Sequence, residues 1–228
     1  MKSINYRDYM IKETSRIPED IEWSISYSYN AKDTKSKRIL LVGDSICNGY
    51  QGFVREMLAT RANITYWISS KCVTDRNFLH ELDYYLDLYE YDLICFNNGC
   101  HSDDTAPNER EEAYKNTIQF ILDKCPGAKL GVVLCAPLKK EKDNERIHRF
   151  NEQSIKIAEE KNLAVADLYT PLSLLDREEA MRDNYHWHED SAKLQADIIT
   201  DFIERQLDLK ESGITQLSTK TGPSGEVK

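Results

Sequence analysis

No apolar run in this 228-residue chain approaches the roughly 20 residues needed to span a bilayer as a helix. The N-terminal stretch "MKSINYRDYMIKETSRIPED" carries charges throughout and lacks the apolar segment of a secretory signal. Cysteine is present, with 6 residues at Cys47, Cys72, Cys95, Cys100, Cys125 and Cys135, but no two form a C-x-x-C pair. Several fall in or beside apolar runs, where a free thiol acts as a small hydrophobe. With no signal to carry the chain into an oxidising compartment, a reduced, cytoplasmic setting is expected. Basic charge is short as well. Lys and Arg total 30 against 39 Asp and Glu, the formal net charge is −9, and the basic residues are scattered. That excludes nucleic acid and anionic membrane as expected partners. Neither G-x-x-x-x-G-K-[ST] nor G-x-G-x-x-G occurs, so no nucleotide or dinucleotide cofactor is expected. No internal repeat is visible.

A hydrophobic fraction of 40% supports a real core, and the length suits one large domain. Residues 1–36 hold aromatics (Trp23, Tyr27, Tyr29) without clean periodicity and end in the polar "NAKDTKSK", which reads as an arm laid over the domain. Residues 211–228 are Ser/Thr/Gly-rich and are expected to be a disordered tail. Between them, over residues 37–210, strand-like and helix-like segments alternate. The strands are "RILLVG", "ITYWIS", "DLICFNNG", "KLGVVLCAPL" and "LAVADLY". The helices are "GFVREMLATR", "NFLHELDYYLDLYE", "NEREEAYKNTIQFILDKC", "NERIHRFNEQSIKIAEEKN" and a last one from Glu189 to Leu209. Such alternation predicts an α/β fold, with helices on both faces of a parallel sheet of about five strands, because each parallel connection needs a crossover. Ligands of such sheets bind beyond the carboxyl ends of the strands. Those ends carry small polar clusters at the first three strands: "GDSICNG", "SSKC" and "NNGCHS".

Ser45 ends a buried strand between Asp44 and Ile46, where a plain turn residue would suffice. A serine hydroxyl becomes a useful nucleophile only when a base removes its proton during attack. An imidazole can do that, and a carboxylate on its far nitrogen fixes the tautomer. The segment "DNYHWH" supplies Asp183 and His186 three residues apart, close enough to meet locally, whereas Ser45 must reach them through the fold. Other readings of these residues stay open: Ser45 as a turn residue, His186 and His188 with Asp183 as metal ligands, or His188 as the base. Cys47 and Cys100 lie near the site but have no sequence-local base to activate a thiol. "GDSIC" lacks the second glycine of G-x-S-x-G, which disfavours an α/β-hydrolase elbow.

Taken together, "GDSI", "NNGCH" and "DNYH" resemble the GDSL, or SGNH, hydrolases, over roughly residues 38–206. The resemblance implies a flavodoxin-like three-layer α/β/α sandwich and ester hydrolysis by a Ser-His-Asp triad, with Ser45 as nucleophile, His186 as base and Asp183 as its orienting acid. It further implies an oxyanion hole made by the Ser45 N–H, an N–H at Ser69 or Ser70, and a side chain at Asn98 or His101. Here the sequence departs from the family, which places a glycine after the second strand and an asparagine in a G-x-N-D block. Asp44, Asn97, Gly99 and Trp187 are expected around the substrate. The expected substrate is a small-molecule ester, favoured as an acetylated carbohydrate or similar polar alcohol, turned over without cofactor or metal. Transfer to a second alcohol by the same residues, or a non-catalytic domain that binds a glycan or partner, are the competing readings. The sequence leaves the oligomeric state open.

Overall fold

The computed structural model describes residues 4–101 and 105–209; the expected tail, 211–228, lies outside the described residues. Six strands form one sheet: β1 (Ser24–Ser28), β2 (Lys37–Gly43), β3 (Ala62–Ser69), β4 (Leu93–Phe96), β5 (Lys129–Val133) and β6 (Ala164–Ala166). Among the described residues, seven α-helices connect or flank them: α1 (Ser45–Met57), α2 (Phe78–Leu86), α3 (Pro107–Lys124), α4 (Glu141–Glu160), α5 (Tyr169–Ser173), α6 (Arg177–Ala180) and α7 (Glu189–Leu207). The spatial order is β1-β3-β2-β4-β5-β6, parallel throughout except for β1.

Strand alternation divides the core between two faces. Ile39 and Leu41 of β2, with Ile64 and Tyr66 of β3, pack towards α1 and α7, against Val54, Ile199 and Phe202. Leu40, Val42 and Trp67 face the other way, onto Phe78 and Leu82 of α2, Tyr114 and Ile118 of α3, and Ile157 of α4. Covering both faces buries all eight residues of β3, which explains why the central strands read as continuous apolar runs. The sheet, its parallel core and its flanking helices agree with the α/β/α sandwich expected from the sequence.

The sixth strand is new. β1 comes from the stretch read as an arm and pairs antiparallel with β3, from Ser24 opposite Ser69 to Ser28 opposite Thr65. Its sequence, "SISYS", is exposed along nearly its whole length, so no run of buried side chains signals it. Upstream, Tyr6 stacks on His80 of α2 and the Tyr9 hydroxyl donates to Asp123 of α3 at 2.7 Å.

The chain order reverses between β2 and β4, since β3 lies on one side of β2 and β4 on the other. A crevice opens beyond the carboxyl ends of strands at such a reversal. Ser45 follows β2 directly, and residues 97–101 follow β4.

Candidate active site

Ser45 is placed by an abrupt strand-to-helix junction. Gly43 closes β2, and a Cβ there would stand 2.5 Å from the Cys47 Cβ, so only glycine lets α1 begin this close to the strand. Asp44 is the N-cap of α1: its Oδ1 accepts the Ile46 N–H at 2.9 Å. Ser45 is therefore the first residue of α1, where the backbone N–H has no intrahelical acceptor and the helix dipole presents its positive end.

His186 and Asp183 arrive on a small hairpin between α6 and α7. The Asp183 Oδ1 accepts the N–H groups of Tyr185 at 2.8 Å and His186 at 2.9 Å, an Asx turn that reverses the chain. The Arg182 N–H then donates to the His186 carbonyl at 2.8 Å, and Met181 bridges to Trp187. Both of those side chains are buried and anchor the hairpin. His186 Nδ1 stands 2.8 Å from Asp183 Oδ2, and His186 Nε2 stands 2.9 Å from Ser45 Oγ. Because the carboxylate only accepts, Nδ1 carries the hydrogen and Nε2 accepts from the serine hydroxyl. Burial alone would raise the Asp183 carboxyl. The N–H groups of Tyr185 and His186 and the imidazole outweigh it and hold the group down at about 2.

A cavity of about 380 Å³ opens onto this cluster, lined by Ser45, Ile46, Cys100, His101, Tyr185 and His186, with Arg16 and Glu19 from the N-terminal segment. Its volume is at the small end of ligand sites. A larger groove of about 1030 Å³ runs between the N-terminal segment and α2, but neither Ser45 nor His186 lines it. The Arg16 side chain is buried, with Nε 3.3 Å from Asp75 Oδ2 and the guanidinium 3.8 Å from Glu22 and 3.9 Å from Glu19. His101 Nδ1 lies 2.6 Å from Glu19 Oε1, and Trp23 meets the His101 ring edge-on at 6.0 Å.

With this geometry in view, the comparisons are informative. No family model matches the sequence, and no curated protein matches it. Solved structures do. A Parabacteroides merdae protein assigned to the GDSL-like lipases superposes with a TM-score of 0.63 at 16% identity, over 77% of this chain and 97% of that one. The chain has the SGNH hydrolase fold. An acetylxylan esterase from Geobacillus stearothermophilus gives 0.57 at 16% identity, over 76% and 95% of the two chains. An active-site mutant of a family two carbohydrate esterase from Clostridium thermocellum gives 0.61 at 14%, over 77% of this chain and 66% of that one.

On this SGNH scaffold, several residues expected at the site are engaged elsewhere. Trp187 does not line the cavity: the extended segment alternates, so His186 faces the site while Trp187 turns into the core. His188 starts α7 as its N-cap residue, its N–H donating to the Ala180 carbonyl at 2.9 Å. Asn98 spans its own loop and the one after β3, its Oδ1 accepting the Val73 N–H and its Nδ2 donating to the Lys71 carbonyl, both at 3.0 Å. Asn97 Nδ2 donates to the Val133 carbonyl at 2.8 Å. The Ser70 N–H donates to the Trp23 carbonyl at 3.1 Å, and the Ser69 hydroxyl donates to the same carbonyl. These hydrogen bonds tie the loops of the crevice together. Asp44 is a helix cap, and Gly99 provides room for Cys135, whose Sγ would lie 2.6 Å from an added Cβ.

The alternatives raised by the sequence fare as follows. Among the described residues, no group of three or more His, Cys, Asp or Glu is placed to hold a metal. Burial pushes the Cys47 thiol up to about 12. A hydrogen bond with Cys135, together with burial, pushes Cys100 well up. Neither is poised as a thiolate nucleophile. Arg16, Glu19 and Tyr185 line the cavity without having been singled out from the sequence. Tyr185 sits inside "DNYH", but Arg16 and Glu19 lie in an irregular stretch with no periodicity to flag them.

Proposed function

We propose that this chain is a serine esterase that removes a small acyl group, acetyl in the first instance, from a carbohydrate or similar polar alcohol. The observation that carries the reading is the continuous relay from Asp183 through His186 to Ser45, at 2.8 Å and 2.9 Å, opening into a cavity at the reversal of the sheet. The acetylxylan and carbohydrate esterases among the structural neighbours support the choice of substrate class by analogy.

In the reaction, Ser45 Oγ attacks the ester carbonyl carbon as His186 Nε2 takes its proton. Charge gathers on the carbonyl oxygen, stabilised by the Ser45 N–H at the positive end of α1. As the tetrahedral intermediate collapses, His186 returns the proton to the departing alcohol and an acyl-Ser45 ester remains. Water then attacks that ester with His186 again as base, and the acid leaves with Ser45 restored. Asp183 stays ionised and keeps the imidazole hydrogen on Nδ1 throughout.

Hydrolysis of 4-nitrophenyl acetate tests the reading. Ser45→Ala is expected to reduce kcat by about a thousandfold or more. Equal slow rates for the variant and the wild type would instead favour a non-catalytic binding domain.

A further inference from the structure

We infer that the Glu19–His101 pair is a specificity determinant on the alcohol side of the cavity, accepting a hydrogen bond from a hydroxyl next to the scissile ester. This rests on the esterase reading and adds what that reading lacks, a reason for selecting a polyol.

Within the described part of the cavity there are two imidazole–carboxylate pairs. His186 with Asp183 faces Ser45. His101 with Glu19 forms another part of the wall, and Glu19 is brought there by the N-terminal segment. A carboxylate offers only lone pairs, so the hydrogen shared at 2.6 Å sits on His101 Nδ1. In the neutral ring Nε2 is then an acceptor. An acceptor cannot stabilise an oxyanion, so a neutral His101 paired in this way takes an incoming donor in place of the oxyanion role expected from the sequence. The donor that an ester of a sugar or polyol brings is a free hydroxyl beside the acylated one.

The surroundings hold this arrangement. Trp23 packs edge-on against the His101 ring, whose side chain is only 19% exposed. Arg16 lies between Glu19, Glu22 and Asp75, so its charge is matched by carboxylates already present. The wall therefore suits a neutral, hydroxyl-rich group better than an anionic one. A polar site built to receive a hydroxyl discriminates strongly against an analogue without one, because its own acceptor is then left unpaired.

The test compares three substrates: a methyl xyloside monoacetate with a free hydroxyl beside the ester, its deoxy analogue, and 4-nitrophenyl acetate. For the wild type, kcat/KM is expected to favour the hydroxyl-bearing ester over the deoxy one by about tenfold or more. His101→Phe and Glu19→Gln are each expected to erase most of that preference. A glutamine amide presents either its oxygen or its NH2 to Nδ1, so it no longer fixes the tautomer that makes Nε2 an acceptor. Absence of preference in the wild type overturns the inference. So does an equal drop in kcat on all three substrates in both variants, which would mark His101 as an oxyanion donor or a structural group. Failure of the esterase reading shows separately, as turnover that survives Ser45→Ala.

Discussion

At the scale of single residues, the proposed chemistry depends on one imidazole with two different neighbours. Asp183→Asn removes the carboxylate that fixes the tautomer while keeping the size, and kcat for 4-nitrophenyl acetate is expected to fall by about a hundredfold or more. The pH dependence has a definite sign. The folded-state value of Asp183 is lowered to about 2, so its pairing contributes fully above the ordinary aspartate range and is lost as pH falls through about 2. Asp183 is half exposed, so solvent screens that contribution and the effect on stability is small. An activity profile should therefore show no limb from this carboxylate between pH 4 and pH 8, roughly. Ser45, Asp183 and His186, which the structure brings into hydrogen-bond contact, could be singled out in the sequence because a strand-end serine and D-x-x-H are local patterns with a chemical logic. The directions taken by Asn98 and Trp187 could not be read, because sequence spacing does not say which way a side chain turns. Asn98 turns to the loop after β3, and Trp187 follows the strand alternation into the core.

At the scale of elements, the β2–α1 junction and the 180–188 hairpin fix the distance between Ser45 and His186. Gly43→Ala would set a methyl 2.5 Å from the Cys47 Cβ, backbone-linked atoms that cannot swing aside. The helix must shift, at a cost of about 1–3 kcal/mol, carrying Ser45 away from His186. Urea unfolding should report the lost stability, and kcat should fall with KM little changed. The crevice loops have a comparable anchor in Arg110, fully buried in α3, whose guanidinium donates to the Asn98 carbonyl at 2.9 Å and to the Phe150 carbonyl at 3.2 Å. Helices and parallel strands could be read from the sequence because burial on both faces writes long apolar runs. β1 could not, because an edge strand with exposed side chains has no such run.

For the whole molecule, the alternation of strands and helices was enough to specify the α/β/α architecture and hence the end of the sheet where the candidate site lies. What it could not specify was the N-terminal segment, which closes the edge of the sheet and forms part of the cavity wall. Deleting residues 1–28 would bare β3, a strand whose eight residues are all buried. The truncated chain is expected to unfold at lower urea concentration and to aggregate through the open edge, checked by urea titration and light scattering. The most direct measurement of the central claim is covalent capture by a serine-reactive fluorophosphonate, followed by peptide mass spectrometry. One label per chain on Ser45, slowed about a hundredfold or more by His186→Ala, is the predicted result. A label on another residue, or a His186→Ala variant that reacts at the wild-type rate, would contradict it.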